Sequence, residues 1–252
     1  MTLTHRKPFE GIRNIIRFNW HYYLLALILT ITFSLIFIFL AGTPKIIDGL
    51  LVLSVFITAI VSLVVSWYVY DVSPLYKFTW LPPTEGTSLI NIHAGFDEVS
   101  ALLQSKYPHA EMKVYDFFDV QKHTEVSIRR ARKANSPFIG TQTITTNYVP
   151  ADDGSTDIIF AFLAAHEIRD PLERINFFTE LRRALKPTGK IIVTEHLRDL
   201  NNFFAYNIGF MHFHSLSSWQ HTFENAGLEI KEQLKITPFI TTFILQSNGT
   251  AA

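Results

Sequence analysis

VPADDGSTDIIFAFLAAHE (residues 149–167) and ELRRALKPTGKIIVTEH (residues 180–196) decide the fold. Each contains a short apolar run, DIIFAFL at 157–163 and KIIVT at 190–194, bounded by turn-forming residues. Runs of that length and bounding read as strands. Between them, residues 171–185 place apolar side chains at helical spacing. Strand, helix, strand in close succession implies a parallel pair joined by a crossover. Pro187 and Gly189 are expected to make the tight turn that drops the chain into the second strand.

Outward from this unit the alternation continues. SLINIH (88–93) reads as a first strand, residues 97–106 as a helix, and residues 111–115 as a second strand running into DFFD. TEVSIRRARK (124–133) is a basic helix, and residues 143–148 form a weak third strand. After the second strand of the opening unit come a helix over 217–226, ended by Gly227, and two strands at 228–236 and 241–246. No helix separates the last two, so they are expected to form an antiparallel edge. The class is α/β, with a mostly parallel seven-stranded sheet covered by helices on both faces.

The front of the chain obeys a different pattern. Between Arg17 and Lys45, and again between Asp48 and Asp71, there is no Asp, Glu, Lys or Arg. Each gap suffices to span about 30 Å of hydrocarbon as a helix, the form that satisfies every backbone polar group in lipid. Two transmembrane helices are expected over about 20–41 and 49–70. A signal peptide would have a shorter apolar core and no second full-length run, interfacial helices would show a polar face, and a buried helical hairpin of a soluble protein is the remaining alternative. Arg6, Lys7, Arg13 and Arg17 precede the first run, whereas the connector has only Lys45 and Asp48. The positive-inside rule then places both ends of the hairpin in the cytoplasm. Trp20, Tyr22, Tyr23, Trp67, Tyr68 and Tyr70 have aromatic-belt placement on that side. Residues 1–19 are a basic cytoplasmic segment, read either as a plain flank or as a short amphipathic helix along the surface. Residues 71–86 are a linker broken by Pro74, Pro82 and Pro83, and residues 87–247 are the α/β domain. The expected location is a membrane with the domain on its cytoplasmic side, the bacterial inner membrane.

Composition excludes other classes. The 252 residues have zero formal net charge and no cysteine. Disulfides and thiolate-bound metals are excluded, and there is no global electrostatic pull toward nucleic acid.

The pair of segments first quoted resembles the second half of class I S-adenosylmethionine (SAM) methyltransferases. In that family a stretch of the form LP-x-x-D-x-S-F-D precedes strand four, and R-V-L-K-P-G-G leads into strand five. The matching residues here are Val149, Pro150, Asp153, Ser155 and Asp157, then Arg183 to Gly189. The resemblance implies a Rossmann-like fold, SAM as cofactor and methyl transfer. The family's cofactor turn, D/E-x-G-x-G-x-G, corresponds to Asn91-Ile92-His93-Ala94-Gly95-Phe96-Asp97, in which Gly95 alone of the glycines is kept. The resemblance further implies a ribose-binding acid at Asp116, with Asp119 as the alternative. It also implies cofactor contacts at His93, Gly95, Asn147 and Ala164.

Functional groups of open α/β sheets gather beyond the carboxyl ends of strands. There the sequence puts His166-Glu167, Glu195-His196 and Met211-His212-Phe213-His214. Two chemistries suit these residues. A histidine or glutamate acts as general base toward the methyl acceptor, or His166, Glu167, Glu195, His196, His212 and His214 supply metal ligands. Each of them also has a purely structural reading, as a hydrogen-bonding group that holds loops in shape. With no HExxH or comparable spacing, the acid–base reading is preferred, with His166, Glu195, His196 and His214 as catalytic candidates and no metal. The aromatic, nearly uncharged segment 201–213 reads as a buried lid or as an apolar wall for the acceptor. Arg129, Arg130, Arg132 and Lys133 form a solvated face or meet anionic lipid head groups. The expected function is methylation of a hydrophobic or membrane-associated small molecule: a quinone-like phenol, polyene, isoprenoid or lipid. Two rivals keep the fold: acid–base or metal chemistry on a lipid without methyl transfer, and an inactive membrane-tethered binding domain. The expected partners are the bilayer and the acceptor.

Overall fold

In the computed structural model the described residues are 6–81, 88–123 and 125–249. The chain begins with two antiparallel helices, α1 (Glu10–Phe39) and α2 (Gly42–Trp67). Both are long and apolar enough to cross a membrane. Their apolar side chains, among them Leu25, Leu27, Ile38, Leu50, Leu53 and Phe56, are exposed; a core helix of a soluble protein would bury such residues. Residues 10–18, which include Arg13 and Arg17, are helical and continuous with the apolar part across a kink at Asn19 (φ −114°, ψ 17°). Only Leu40 and Ala41 are extended between the helices, so the connector is the first turn of α2. Pro44 is compatible with that, because the first turn has no amide partner to lose.

The hairpin closes through side-chain capping. Asp71, in a single π turn (Tyr68–Val72) after α2, accepts 2.8 Å hydrogen bonds from the backbone N–H groups of both Gly11 and Ile12. Gly11 is required there, because a Cβ would lie 2.4 Å from that of Tyr70. Asp71→Ala is expected to cost about 1 kcal/mol, as for other caps, and to speed hydrogen exchange at Gly11 and Ile12. Unchanged protection of both amides would contradict the cap.

The sheet contains β1 (Ser88–His93), β2 (Glu111–Asp116), β3 (Gln142–Thr143), β4 (Thr156–Phe162), β5 (Leu185–His196), β6 (Leu228–Thr237) and β7 (Ile240–Ser247). Its order is β3-β2-β1-β4-β5-β7-β6, with β7 antiparallel to both neighbours and the remaining pairs parallel. The helices are α3 (Ser100–Lys106), α4 (Val126–Ala134), α5 (Pro171–Ala184), α6 (Leu200–Tyr206) and α7 (Leu216–Asn225). Side chains alternate along β4. Ile159 and Ala161 pack with Phe177, Phe178, Trp219 and Phe223 of α5 and α7. Ile158 and Phe160 pack with Leu103, Tyr107, Phe78 and Leu81 on the other face. A strand covered on both sides reads as an uninterrupted apolar run, as this one does.

Two expected elements differ. The third strand, read over 143–148, is only Gln142–Thr143, followed by a turn bridged between Thr145 and Tyr148. The run is polar and Gln142 and Thr143 are exposed, so little burial stabilises a longer edge strand. Pro187 and Gly189 make no tight turn. Leu185 already pairs with Thr156, and Lys190 with Ile158, so residues 186–189 bulge opposite Asp157. Lys186 holds that bulge through a 2.7 Å bond to Asp157.

The linker packs on the domain. Leu75, Phe78 and Leu81 are buried; Pro82 and Pro83 lie outside the described residues. Val69 and Leu75 also meet Ile240, Phe162 and Leu163, which seats the end of α2 on the carboxyl ends of the strands. Arg130 of α4 donates to the Phe18 carbonyl at the α1 kink (2.8 Å). The strand ends therefore face the near end of the hairpin.

Candidate functional site

The turn after β1 is held by side chains rather than by glycines. The Gly95 N–H donates to His93 Nδ1 (3.2 Å), and Asp97 Oδ1 accepts from the backbone of Val99 and Ser100 (3.0 and 2.9 Å). Asn91 donates to Ser100 Oγ (2.8 Å). Gly95 has φ +87°, a left-handed conformation that favours glycine. Burial shifts the pKa of His93 downward against the nearby carboxylates, so its ring is neutral. Among the described residues, Asn91 Oδ1, His93 Nε2 and Asp97 Oδ2 are buried with no hydrogen-bond partner. Buried polar atoms are normally satisfied; three orphans on one turn fit a ligand bearing amine, carboxylate and hydroxyl groups, as SAM does.

Asp116 ends β2 beside this turn. Its carboxylate accepts from Phe118 N (2.9 Å) and pairs with Arg132 of α4, whose guanidinium lies over the Phe118 ring. Phe118 rests on Gly95, where a Cβ would come within 2.9 Å of the ring. The remaining cavity, lined by His93, Phe96, Asp97, Ile128 and Leu163 among others, is about 40 Å³. Small-molecule sites are typically about 300–1,000 Å³, so a cofactor enters only if side chains over the turn move. Phe18 of α1 sits edge-on to Phe96 at 5.5 Å and closes the near side. Asn147 is exposed at its turn and does not line this cavity, while Ala164 is buried just past β4. Leu163, between β4 and Ala164, has φ +49°, an unfavourable conformation for a non-glycine residue, and lines the cavity.

The second half of the site lies past β4 and β5. Glu195, fully buried, takes His166 Nδ1 at 2.6 Å and the His166 backbone N–H at 3.2 Å. Burial pushes the His166 pKa down, but the Glu195 carboxylate more than offsets this and raises it. Glu167 Oε1 is 3.6 Å from both His166 Nε2 and His212 Nε2. Burial would raise its pKa, yet the two imidazoles and Arg169 hold it down at about 2. Glu125, from the residues before α4, completes the group by pairing with His212 Nδ1. His166, Glu167, His212 and Glu195 are thus brought together as the sequence placed them. Glu125 had no sequence signal, because only the β2–α4 connection brings it here.

His196 and His214 stand apart from this cluster. His196 Nδ1 faces Asn202 Oδ1 (2.9 Å) and Nε2 faces the Tyr70 hydroxyl of the hairpin (2.7 Å), with Phe213 stacked on the ring. Both ring nitrogens are engaged, so His196 ties the hairpin to β5. His214 Nε2 meets the buried Arg174, which also binds Thr222, Ser218 and the Ile168 carbonyl. Burial lowers His196 to about 4, and burial together with Arg174 lowers His214 to about 3, from an ordinary 6.5. Both are neutral when folded and gain protons on unfolding below pH 6.5. Their stabilisation is therefore present above pH 6.5 and is lost as pH falls toward 4. His166 has the opposite sign and offsets part of this. The thermal midpoint is expected to fall as pH drops from 6.5 to 5; a flat profile there would contradict the burial of neutral His196 and His214.

The aromatic segment is not a buried lid. Leu200, Phe204, Ile208 and Met211, in α6 and the 3₁₀ turns after it (Asn207–His212), are exposed beside α2. Arg130 is engaged with the α1 kink and Arg132 with Asp116, and Arg129, Arg132 and Lys133 line an open groove with Phe118 and Val120.

Residues 99–193 match the family pattern described as a methyltransferase domain. Among solved structures, the chain is similar to a SAM-dependent methyltransferase from Aquifex aeolicus. That likeness has 16% identity, 71% of this chain and 90% of that one covered, and a TM-score of 0.48. It is also similar to a SAM-dependent methyltransferase from Methanosarcina mazei, with 17% identity, coverage of 66% and 94%, and a TM-score of 0.47. No curated protein matches the chain.

Proposed function

We propose, from the match of residues 99–193 to a methyltransferase domain, that the chain uses SAM, is anchored by its hairpin and methylates a hydrophobic or membrane-associated small molecule. The observation that carries the reading is the 2.7 Å bond between Tyr70, at the end of the hairpin, and His196, at the end of β5. It fixes the strand-end site against the point where the chain leaves the apolar helices. An acceptor dissolved in lipid then reaches the site without crossing water. The exposed Leu200, Phe204, Ile208 and Met211 support the same route, as a wall continuous with α2.

Bound SAM supplies a methyl group activated on a sulfonium. Asp116, freed from Arg132, would hold the ribose of SAM, and Asn91, His93 and Asp97 would hold its polar end. Gly95 allows the close backbone approach. His166, fixed by Glu195, is the group best placed to take a proton from an acceptor hydroxyl, because Nδ1 is anchored and Nε2 is turned toward the cluster. Glu195 is a positioning residue.

The test is methyl transfer by the full chain in nanodiscs, given SAM labelled in the methyl group and an organic extract of membranes. Label in the organic phase, lost in His166→Gln, is expected. Label confined to water-soluble products would contradict a lipid-borne acceptor. Phe204→Ser combined with Ile208→Ser is expected to raise the apparent KM for that acceptor several-fold while leaving SAM binding unchanged. An unaltered KM would contradict the apolar wall.

A further inference from the structure

We propose that His166, Glu167 and His212 form a binding site for one divalent metal ion of the manganese-to-zinc series. The donor atoms of the three residues lie within 4.8 Å of one another. Ligands on such an ion, each about 2.1 Å from it, are roughly 3–3.5 Å apart; Glu167 Oε1 is 3.6 Å from each of the two Nε2 atoms. Small side-chain rotations therefore complete the geometry.

The surroundings carry the inference further than the spacing does. Each histidine turns Nε2 to the same carboxylate and has its Nδ1 backed by a different one. Glu195, fully buried, holds His166 Nδ1 at 2.6 Å, and Glu125 holds His212 Nδ1. This is the carboxylate–histidine arrangement that fixes the tautomer of metal ligands and raises their basicity. Arg169 Nη2 contacts both ring nitrogens of His212; once it withdraws, the Nδ1 protons of both histidines can point to these outer carboxylates, two Nε2 lone pairs and the Glu167 carboxylate face one another, and a cation between them is the natural partner. In the described arrangement the guanidinium of Arg169 provides that positive charge. It lies against the His212 ring and 3.8 Å from Glu125, on a side chain 42% exposed. A metal ion displaces it outward.

Two histidines and one carboxylate leave open positions for an oxygen donor. The cluster stands at the carboxyl end of β4, where the acceptor would enter, so the ion favours acceptors with a coordinating oxygen, such as a phenol or enol; with the ion bound, His166 Nε2 would be a ligand, the ion would lower the pKa of that oxygen, and the base role of His166 would belong to the metal-free cluster alone. That assignment of substrate class rests on the methyltransferase reading; the metal site itself does not.

The experiment titrates Co²⁺, then competing Zn²⁺, into the full chain in nanodiscs, purified without a histidine tag, and follows cobalt d–d absorption. One equivalent is expected. Glu167→Gln and His212→Ala are each expected to weaken binding at least 100-fold, and Glu195→Gln 10–100-fold. Arg169→Ala is expected to tighten it. His212 is partly exposed and Glu167→Gln is isosteric, so both variants should fold, and circular dichroism checks this. Absence of binding to the wild type would overturn the site, as would equal stoichiometry and affinity in the folded Glu167→Gln, His212→Ala double variant. SAM is titrated in parallel. Binding of SAM without metal sinks only the metal site, whereas metal without SAM sinks only the methyltransferase reading.

Discussion

His166→Ala is expected to destabilise the α/β domain by about 3–5 kcal/mol, the usual cost of breaking a buried charged pair. Glu195 has no exposure, and both of its oxygens bond to His166, one to the ring and one to the backbone. Truncation of the ring leaves one of those oxygens in a dry interior without a proton donor. The cost belongs to the stranded carboxylate, not to lost contacts. His166→Ala combined with Glu195→Leu is therefore expected to recover more than half of the loss. Denaturant unfolding of both variants measures it. A single variant within about 1 kcal/mol of wild type would show that the pair is open to water.

Asp116→Asn and Arg132→Met are expected to act on SAM binding with opposite signs. A charge-assisted hydrogen bond contributes about 1.5–3 kcal/mol, so loss of the Asp116 charge should raise the Kd for SAM roughly 10- to 150-fold. Arg132 competes for that carboxylate from α4 and lies over Phe118, which rests on Gly95. Its removal should tighten SAM binding several-fold. Isothermal titration reads both. Weaker binding in Arg132→Met would mean that the guanidinium contacts the cofactor rather than blocks it.

The strands were legible where burial on both faces left an uninterrupted apolar run, as at Ile158 to Phe162. The antiparallel edge was legible because no helical pattern separates β6 from β7. The third strand was not, since its stability comes from two backbone pairings with Tyr115 and Asp116 rather than from its own side chains. Pro187 and Gly189 looked like a turn because the sequence does not reveal that Leu185 already pairs with Thr156. The turn after β1 looked depleted of glycine for a physical reason that the fold supplies. His93 and Asp97 make with side chains the hydrogen bonds that hold the loop, so glycine is needed only at position 95, where φ is positive. Of the strand-end cluster, His166 with Glu167 and Glu195 with His196 are visible as sequence neighbours. Their pairing, the recruitment of Glu125 and His212, and the withdrawal of His196 and His214 into packing roles depend on loops that converge only in three dimensions.

The central claim is that the closed turn beside Asp116 opens to hold SAM while the hairpin sits in a bilayer. The direct measurement is titration of SAM and S-adenosylhomocysteine into the full chain in nanodiscs. Saturable binding of one equivalent, weakened in Asp116→Asn, is the expected result. Absence of binding by protein that is folded and inserted would contradict the account.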